Sequence, residues 1–323
     1  MEFFRRTAPV GFMAQAKRWG LISLILVISS WVLVFTKGFN YGIDFAGGTL
    51  IQVKYDKPAP IDDIRKILQT QKAYEGAQVT HFGSEDEIVI RTKSSTGSVS
   101  NDISDEVRKL LAPTGNLEVR RVDMVGPKIG DELKTKGTMA LLLAIAGILA
   151  YVSFRFEWRF ALSSVLALIH DMSIALGAIV LFGIEVNLDI LAAILTLLGY
   201  SINDTIIIFD RIRESIRTSK ASEIAELIDE SVTKTLSRTT LTSLTTFLVV
   251  LALYLFGGEI IKGFSFTLLV GLIVGTYSSI FIASPILMWL KFSVLDFRKK
   301  EAEKLKREKE KERMRSMYEQ GTL

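Results

Sequence analysis

Cysteine is absent from the 323 residues, and histidine occurs only twice, at His81 and His170. The first absence excludes disulfides, thiolate metal sites and a cysteine nucleophile. It leaves the compartment open, because many exported domains also lack disulfides. Two histidines so far apart argue against a metal site, and nothing in the sequence asks for a cofactor. A signal-peptide cleavage pattern is missing too: the first apolar stretch, Leu21 to Phe35, follows Arg5, Arg6, Lys17 and Arg18 and ends Trp31-Val-Leu-Val-Phe-Thr-Lys37. It reads as an uncleaved first span with a cytoplasmic N-terminus. No internal repeat is visible. What is abundant is apolar surface: 49% hydrophobic residues and a mean hydropathy of +0.33 describe a membrane protein with a sizeable soluble part. The net charge of +4 sits largely beside apolar spans and in the tail, so positive flanks of membrane helices explain it and no nucleic acid is expected.

Five further apolar runs, about Thr138 to Phe154, Phe160 to Phe182, Leu188 to Asp210, Thr239 to Phe256 and Phe264 to Leu290, bring the number of spans to six. Arg155 and Arg159 lie on one side, Gly183 to Asn187 carries no base on the other, and Arg211, Arg213, Arg217, Lys220 and Lys234 return to the first. Positive-inside then places both termini and segment 211–237 in the cytoplasm. The expected division is 1–18 as cytoplasmic N-terminus, 19–36 as first transmembrane helix, 37–136 as an extracytoplasmic domain, 137–290 as a five-helix membrane part, and 291–323 as a charged cytoplasmic tail. Between Ser222 and Leu236, apolar residues on one helical face predict a short helix on the membrane surface or against the bundle. The tail alternates Lys/Arg with Glu and reads as a solvated, charge-paired helix.

The polar region alternates its elements. Strands are predicted at Thr49 to Tyr55, Gln78 to Phe82, Glu87 to Thr92 and Leu117 to Val125, and helices at Pro60 to Gln71 and Ser100 to Leu111. The order is βαββαβ, the ferredoxin-like pattern. The fold class is therefore an α-helical polytopic membrane protein with six transmembrane helices and an extracytoplasmic α+β domain. One face of its sheet would be left bare, free either to bind an extended polypeptide or to act only as a spacer.

The chemistry concentrates in the fourth span. Leu188 to Asp210 would reach roughly 33 Å as a helix, enough to cross a bilayer core with Asp204 inside it. A buried carboxylate there costs at least a few kcal/mol and demands a partner, a water path or a proton. Thr196, Tyr200 and Asp204 recur every four residues, with Ser201 and Asn203 beside them; in the fifth span Arg238, Thr242 and Thr245 share a face. Asp204 and Arg238 fall at similar depth, so they fit either an alternating proton relay or a permanent ion pair. His170-Asp171 in the third span is a second candidate, flanked by Ser163, Ser164 and Ser173; it either titrates or only bonds neighbouring helices. The relay candidates are thus Asp204, Arg238, Asp171, His170, Asn203 and Thr242. Thr267, Gly271, Gly275, Ser279 and Ala283 form a small-residue stripe suited to helix packing, and Pro285 is placed to kink the end of that helix. Intramembrane aspartyl proteolysis by Asp171 and Asp204 is disfavoured, because an arginine at that depth would spoil a shared-proton dyad.

Several stretches together are distinctive: Gly42-Ile-Asp-Phe-Ala-Gly-Gly-Thr49, Val125-Gly-Pro-Lys-Ile-Gly130, Arg155-Phe-Glu-Trp-Arg159, His170-Asp171, Gly199-Tyr-Ser-Ile-Asn-Asp-Thr205 with Asp210-Arg-Ile-Arg-Glu214, and Arg238-Thr-Thr-Leu-Thr-Ser243. In this order the chain resembles the SecF family of bacterial protein-export subunits, a branch of the resistance-nodulation-division superfamily. The resemblance implies an inner-membrane transport protein, not an enzyme, with SecD as obligate partner, that associates with the SecYEG channel. It would use the proton motive force to promote export of a preprotein. By position Asp204 would be the family's proton-carrying aspartate and Arg238 its partner. The alternatives are a proton-driven half-transporter for small molecules or lipids and a non-coupled scaffold of the translocon.

Overall fold

Glycine and proline mark the joints of the chain. The computed structural model describes residues 9–92, 100–219, 221 and 223–319; Arg5, Arg6, Lys220 and Ser222 lie outside the described residues. Helix α1 (Ala16–Lys37) stops at Gly38, whose φ of 70° ends it in a left-handed turn. Then come β1 (Asn40–Tyr41), the single turn α2 (Ile43–Ala46) and β2 (Gly48–Tyr55). Next are α3 (Ile61–Gln69), β3 (Gln78–Phe82), β4 (Ser84–Thr92), α4 (Ser100–Leu111) and β5 (Leu117–Val125). The rest is helical apart from β6 (Glu185–Val186): α5 (Pro127–Arg155) and α6 (Trp158–Leu181) precede it. After it follow α7 (Leu188–Thr218), α8 (Ile224–Phe256), α9 (Gly258–Ser278), a π-helical turn at Ser279–Ala283, α10 (Ser284–Trp289) and α11 (Val294–Glu319).

Strands β2 to β5 form an antiparallel sheet ordered β3-β4-β2-β5, the ferredoxin-like order expected from the alternation. Ile51, Val53, Ile88 and Ile90 on one sheet face meet Ile64 and Leu68 of α3 and Ile103, Val107 and Leu111 of α4, all buried. The opposite face is not bare. It overlies the end of the helix bundle, across a cleft of about 460 Å³ lined by Gln52, Val89, Arg91, Glu185 and Lys262.

Among the described residues six helices are long and apolar enough to cross a membrane. About 67% of the apolar stretch is buried in the third and sixth, against 11% in the first two, so α6 and α9 with α7 form the centre. The exposed leucines of α1, α5 and α8 form the outside. Lipid supplies no hydrophobic drive between helices, so close approach matters. Gly177 of α6 faces Ser30 of α1 at a distance that leaves no room for a Cβ, and Gly271 faces Leu197 of α7 likewise.

Three elements differ from the sequence reading. Helix α5 begins at Pro127 behind an extended Gly126, so residue 136 falls inside it; proline is well suited to a first helical turn. The helix expected on the membrane surface or against the bundle buries Leu227, Ile228 and Val232 in the bundle and runs on into the fifth span as one helix, α8, because no glycine or proline interrupts Ile224 to Phe256. Before Pro285 the sixth span widens into the π turn: Ser284 Oγ donates to the Ser279 carbonyl (3.0 Å) and Ser163 Oγ to that of Ala283. The tail is helical and its outer turns are solvated, but it starts docked: Phe297 is buried and Arg298 donates to the carbonyls of Ile216, Ser219 and Ala221, each at 2.8 Å. The N-terminal segment binds the same end of the bundle, with Met13 N donating to Asp229 Oδ1 at 2.9 Å.

The Gly42 to Thr49 motif is a backbone joint. Gly47 has φ of 71°, and a Cβ on it would lie 2.9 Å from Pro127 Cα; a Cβ on Gly130 would lie 3.1 Å from the Gly47 nitrogen. Gly47→Ala is expected to lower stability by about 1–3 kcal/mol through left-handed strain and this contact. Gly147→Ala, on α5 with nothing within 4 Å of the added carbon, serves as control and should not. Thermal unfolding of the two detergent-purified variants measures the difference.

Candidate functional site

Helix α7 starts where Asn187 Oδ1 accepts from Ile190 N (3.0 Å) and Asp44 Oδ2 accepts from Leu188 N (3.0 Å). The apolar run then carries Asp204 into the bundle, where it is 2% exposed. Its Oδ2 accepts from Ser243 Oγ of α8 at 3.2 Å, while Oδ1 is buried with no hydrogen-bond partner among the described residues. Thr239 Oγ1, one turn from Ser243 on the same face, is buried and equally unpartnered. An ionised carboxylate with one neutral donor is poorly compensated in such surroundings.

The structure divides the expected partners. Tyr200 lies on the α7–α8 seam, its hydroxyl 3.1 Å from the Thr242 carbonyl and 3.2 Å from Thr246 Oγ1. Thr242 Oγ1 turns back to the Arg238 carbonyl (3.0 Å), Thr196 Oγ1 to that of Ala192 (2.8 Å) and Thr245 Oγ1 to that of Leu241 (2.9 Å). Arg238 is exposed and makes no ion pair with Asp204 within 4.0 Å; it lines a groove of about 530 Å³ with Asp210, Arg211, Glu214 and Lys234. The face that α8 turns inward is Thr235, Thr239, Ser243 and Val250, about 100° round the helix from the Arg238, Thr242, Thr245 stripe. Asn203 is also exposed, on the outer side of α7.

His170 and Asp171 do come together with other groups. Asp171 is fully buried; Oδ1 lies 2.8 Å from His170 Nδ1, and Oδ2 accepts from Ser201 Oγ (2.5 Å) and Ser278 Oγ (2.9 Å). His170 Nε2 is 3.0 Å from Tyr277 OH, itself 3.3 Å from Ser23 Oγ. A chain of polar atoms thus runs from α1 through α9 and α6 to α7, and Ser201 lies one turn before Asp204. A Cβ on Gly275 would stand 3.1 Å from Ser201 Oγ, so the small-residue stripe lets α9 bring Ser278 to Asp171. No hydrogen bond joins the two carboxylates among the described residues, and no cluster of three metal-ligating side chains occurs there.

Ser243, Ser278, Tyr277 and Ser23 were not singled out from the sequence. Their only signal is a polar atom in an apolar span, shared by many hydroxyls that merely bond their own helix. At the bundle end nearest both termini, Arg155 Nη2 meets Asp210 at 2.8 and 3.0 Å, and Arg213 donates to the Arg155 carbonyl at 3.2 Å. These basic motifs therefore pin the α5–α6 turn to α7.

Six membrane-length helices around buried carboxylates, with a ferredoxin-like domain at one end, define a polytopic membrane protein. Residues 106–293 match the family described as protein export membrane protein SecD/SecF, C-terminal, and residues 32–59 match the SecD/SecF GG motif. The protein translocase subunit SecF of Helicobacter pylori is 48% identical over 323 residues, all of both chains. That of Calditerrivibrio nitroreducens is 44% identical, over 90% of this chain and 97% of its own. The crystal structure of SecDF, a translocon-associated membrane protein from Thermus thermophilus, superposes with a TM-score of 0.80 at 37% identity. It covers 88% of this chain, which spans 39% of the SecDF chain. The chain belongs to the SecF family of protein translocase subunits.

Removing one donor from a saturated buried carboxylate leaves a desolvated oxygen behind. Ser278→Ala is expected to cost about 1–3 kcal/mol, whereas Asn203→Ala on the exposed side should stay within about 0.5 kcal/mol. Thermal unfolding of the purified chain in detergent reads both.

Proposed function

We propose that this chain is the SecF half of a SecD–SecF unit in the bacterial inner membrane, which uses the proton motive force to promote preprotein export through SecYEG. The observation that carries the reading is Asp204, buried in a membrane-spanning helix with one oxygen unpartnered and a single serine donor to the other. Such a group favours the neutral form when closed off and gives up its proton when a cation or water reaches it. Arg238 is the mobile counter-charge: it sits about one turn from Ser243 on α8, outside contact in this arrangement. A rotation of α8 by about 100° about its axis would turn its stripe toward Asp204. Asp171, His170 and Thr242 complete the relay, with Ser201 between the two carboxylates.

Orientation follows from charge and from which ends meet. Arg155, Arg211, Arg213 and Arg217, the N-terminal segment and the docked tail gather at one end of the bundle, and the ferredoxin-like domain stands at the other. Positive-inside makes the first end cytoplasmic and the domain periplasmic. The need for SecD has a physical cause. Arg238 and Asn203 are exposed on membrane-spanning helices, Arg238 toward the end that carries Arg211 and Lys234, and polar groups turned to lipid are costly. A second half covering that face removes the cost.

Magnitudes set the manner of work. One charge crossing gains about 2.3 kcal/mol per 100 mV, while a folded domain is stable by about 5–15 kcal/mol. A single proton therefore biases the position of a domain without unfolding a substrate, and several cycles serve each preprotein.

Replacement of Asp204 by Asn, in vesicles where the variant still assembles with SecD, is expected to abolish the gradient-dependent part of preprotein export while the ATP-driven part persists. Unchanged gradient dependence would make Asp204 a packing residue and the chain a non-coupled scaffold.

A further inference from the structure

The periplasmic domain and the helix that carries Asp204 are separate in sequence, so coupling between them needs a contact that transmits force. We infer that the Arg91–Glu185 ion pair is that contact, with Arg91 and Glu185 as positioning residues that tie the domain to α7; this rests on the coupling role proposed for Asp204.

Arg91 lies on β4, an interior strand of the sheet, opposite Leu50 of β2 and Gln78 of β3. It projects from the sheet face that overlies the bundle and pairs with Glu185 across the cleft; the two side chains are 27% and 20% exposed. Glu185 is not on a free loop. It belongs to β6, which pairs with β1 (Asn40↔Glu185), and it stands three residues before the first residue of α7.

The packing around it is specific. A Cβ on Gly42 would lie 2.7 Å from Glu185 Oε1, so the first glycine of the Gly42 to Thr49 motif clears the place that the carboxylate occupies. The same motif sends Asp44 to cap α7 at Leu188 N. A displacement of the sheet therefore reaches the N-terminus of α7 through Arg91 and Glu185. From Leu188 a continuous helix runs sixteen residues to Asp204, about 24 Å of rigid rod.

The pair is also under electrostatic stress. Burial pushes the Glu185 carboxyl up, Arg91 opposes that rise and Asp44 adds to it. Lys262 and Glu259 of α9, Asp189 of α7, and Arg121 and Asp123 of β5 line the remainder of the cleft. Arg91 Nε is buried with no partner among the described residues, so the guanidinium is held by this carboxylate without a second anchor on that edge.

The test uses the full chain assembled with SecD in vesicles, with Asp204→Asn as reference. Arg91→Glu and Glu185→Arg are each expected to lower the gradient-dependent part of preprotein export by about fivefold or more, with the ATP-driven part unchanged. The double exchange, which restores the pair in reverse, is expected to recover it. Arg91→Gln with Glu185→Gln leaves no buried unpaired charge, so it should fold and assemble yet lose the increment like the single variants. Retention of the full increment by that neutral pair, or no recovery in the exchanged pair, would overturn the joint while Asp204→Asn still abolishes coupling. An increment insensitive to Asp204→Asn would overturn both the joint and the coupling reading beneath it.

Discussion

An acid side chain inside a membrane-spanning helix must be neutral, paired or hydrated, and Asp204 is reached by one serine hydroxyl. The surrounding bundle is organised by that requirement. Helices α6, α7 and α9 pack closely enough through Gly271 and Gly275 to exclude lipid from the polar interior. Asp171 shows the contrast: an equally buried carboxylate, three hydrogen-bonding neighbours, and no unsatisfied oxygen. Two buried carboxylates in one bundle therefore differ in how fully their oxygens are hydrogen-bonded. The π turn beside Ser278 fits this division, since it frees backbone groups that serines take up and places the Asp171 donor at the foot of a deformable stretch.

The membrane part and the ferredoxin-like domain meet at a seam of backbone contacts and one cross-cleft ion pair. Gly42, Gly47 and Gly130 occur where a side chain would strike Glu185, Pro127 or Phe45. Such close contacts resist sliding of one part over the other. The sheet face that looks free in a ferredoxin-like pattern is turned to this seam, so the cleft beneath it is lined by charges of both signs.

The exposed Arg238 and Asn203 set polar groups on the outer side of α7 and α8, beside exposed leucines of α8 such as Leu241, Leu244 and Leu248. The solved SecDF chain, of which this one spans 39%, shows that relatives of this fold occur within a larger polypeptide.

Much of this was legible in order. Six apolar runs, the βαββαβ alternation and the lone acid at Asp204 are local signals of period and composition, and local signals survive without knowledge of packing. Boundaries moved where context replaced the local rule: Leu227, Ile228 and Val232 suggest a short separate helix, yet they pack into the bundle and run on into α8 because nothing breaks the helix before Thr239. The site was only half legible. A helical stripe read one residue off turns by about 100°, which is the difference between Arg238 facing Asp204 and Ser243 doing so. Ser201 of α7 and Tyr277 and Ser278 of α9 gather at His170 and Asp171 of α6, and Arg91 meets Glu185 across more than ninety residues of chain. By itself the sequence determined which segments cross the membrane, which domain they carry and which acid lies buried. Only the tertiary structure decided which atom satisfies that acid, which face stays open for a partner and where the domain grips the helix, because those depend on how rigid elements are rotated and docked against one another.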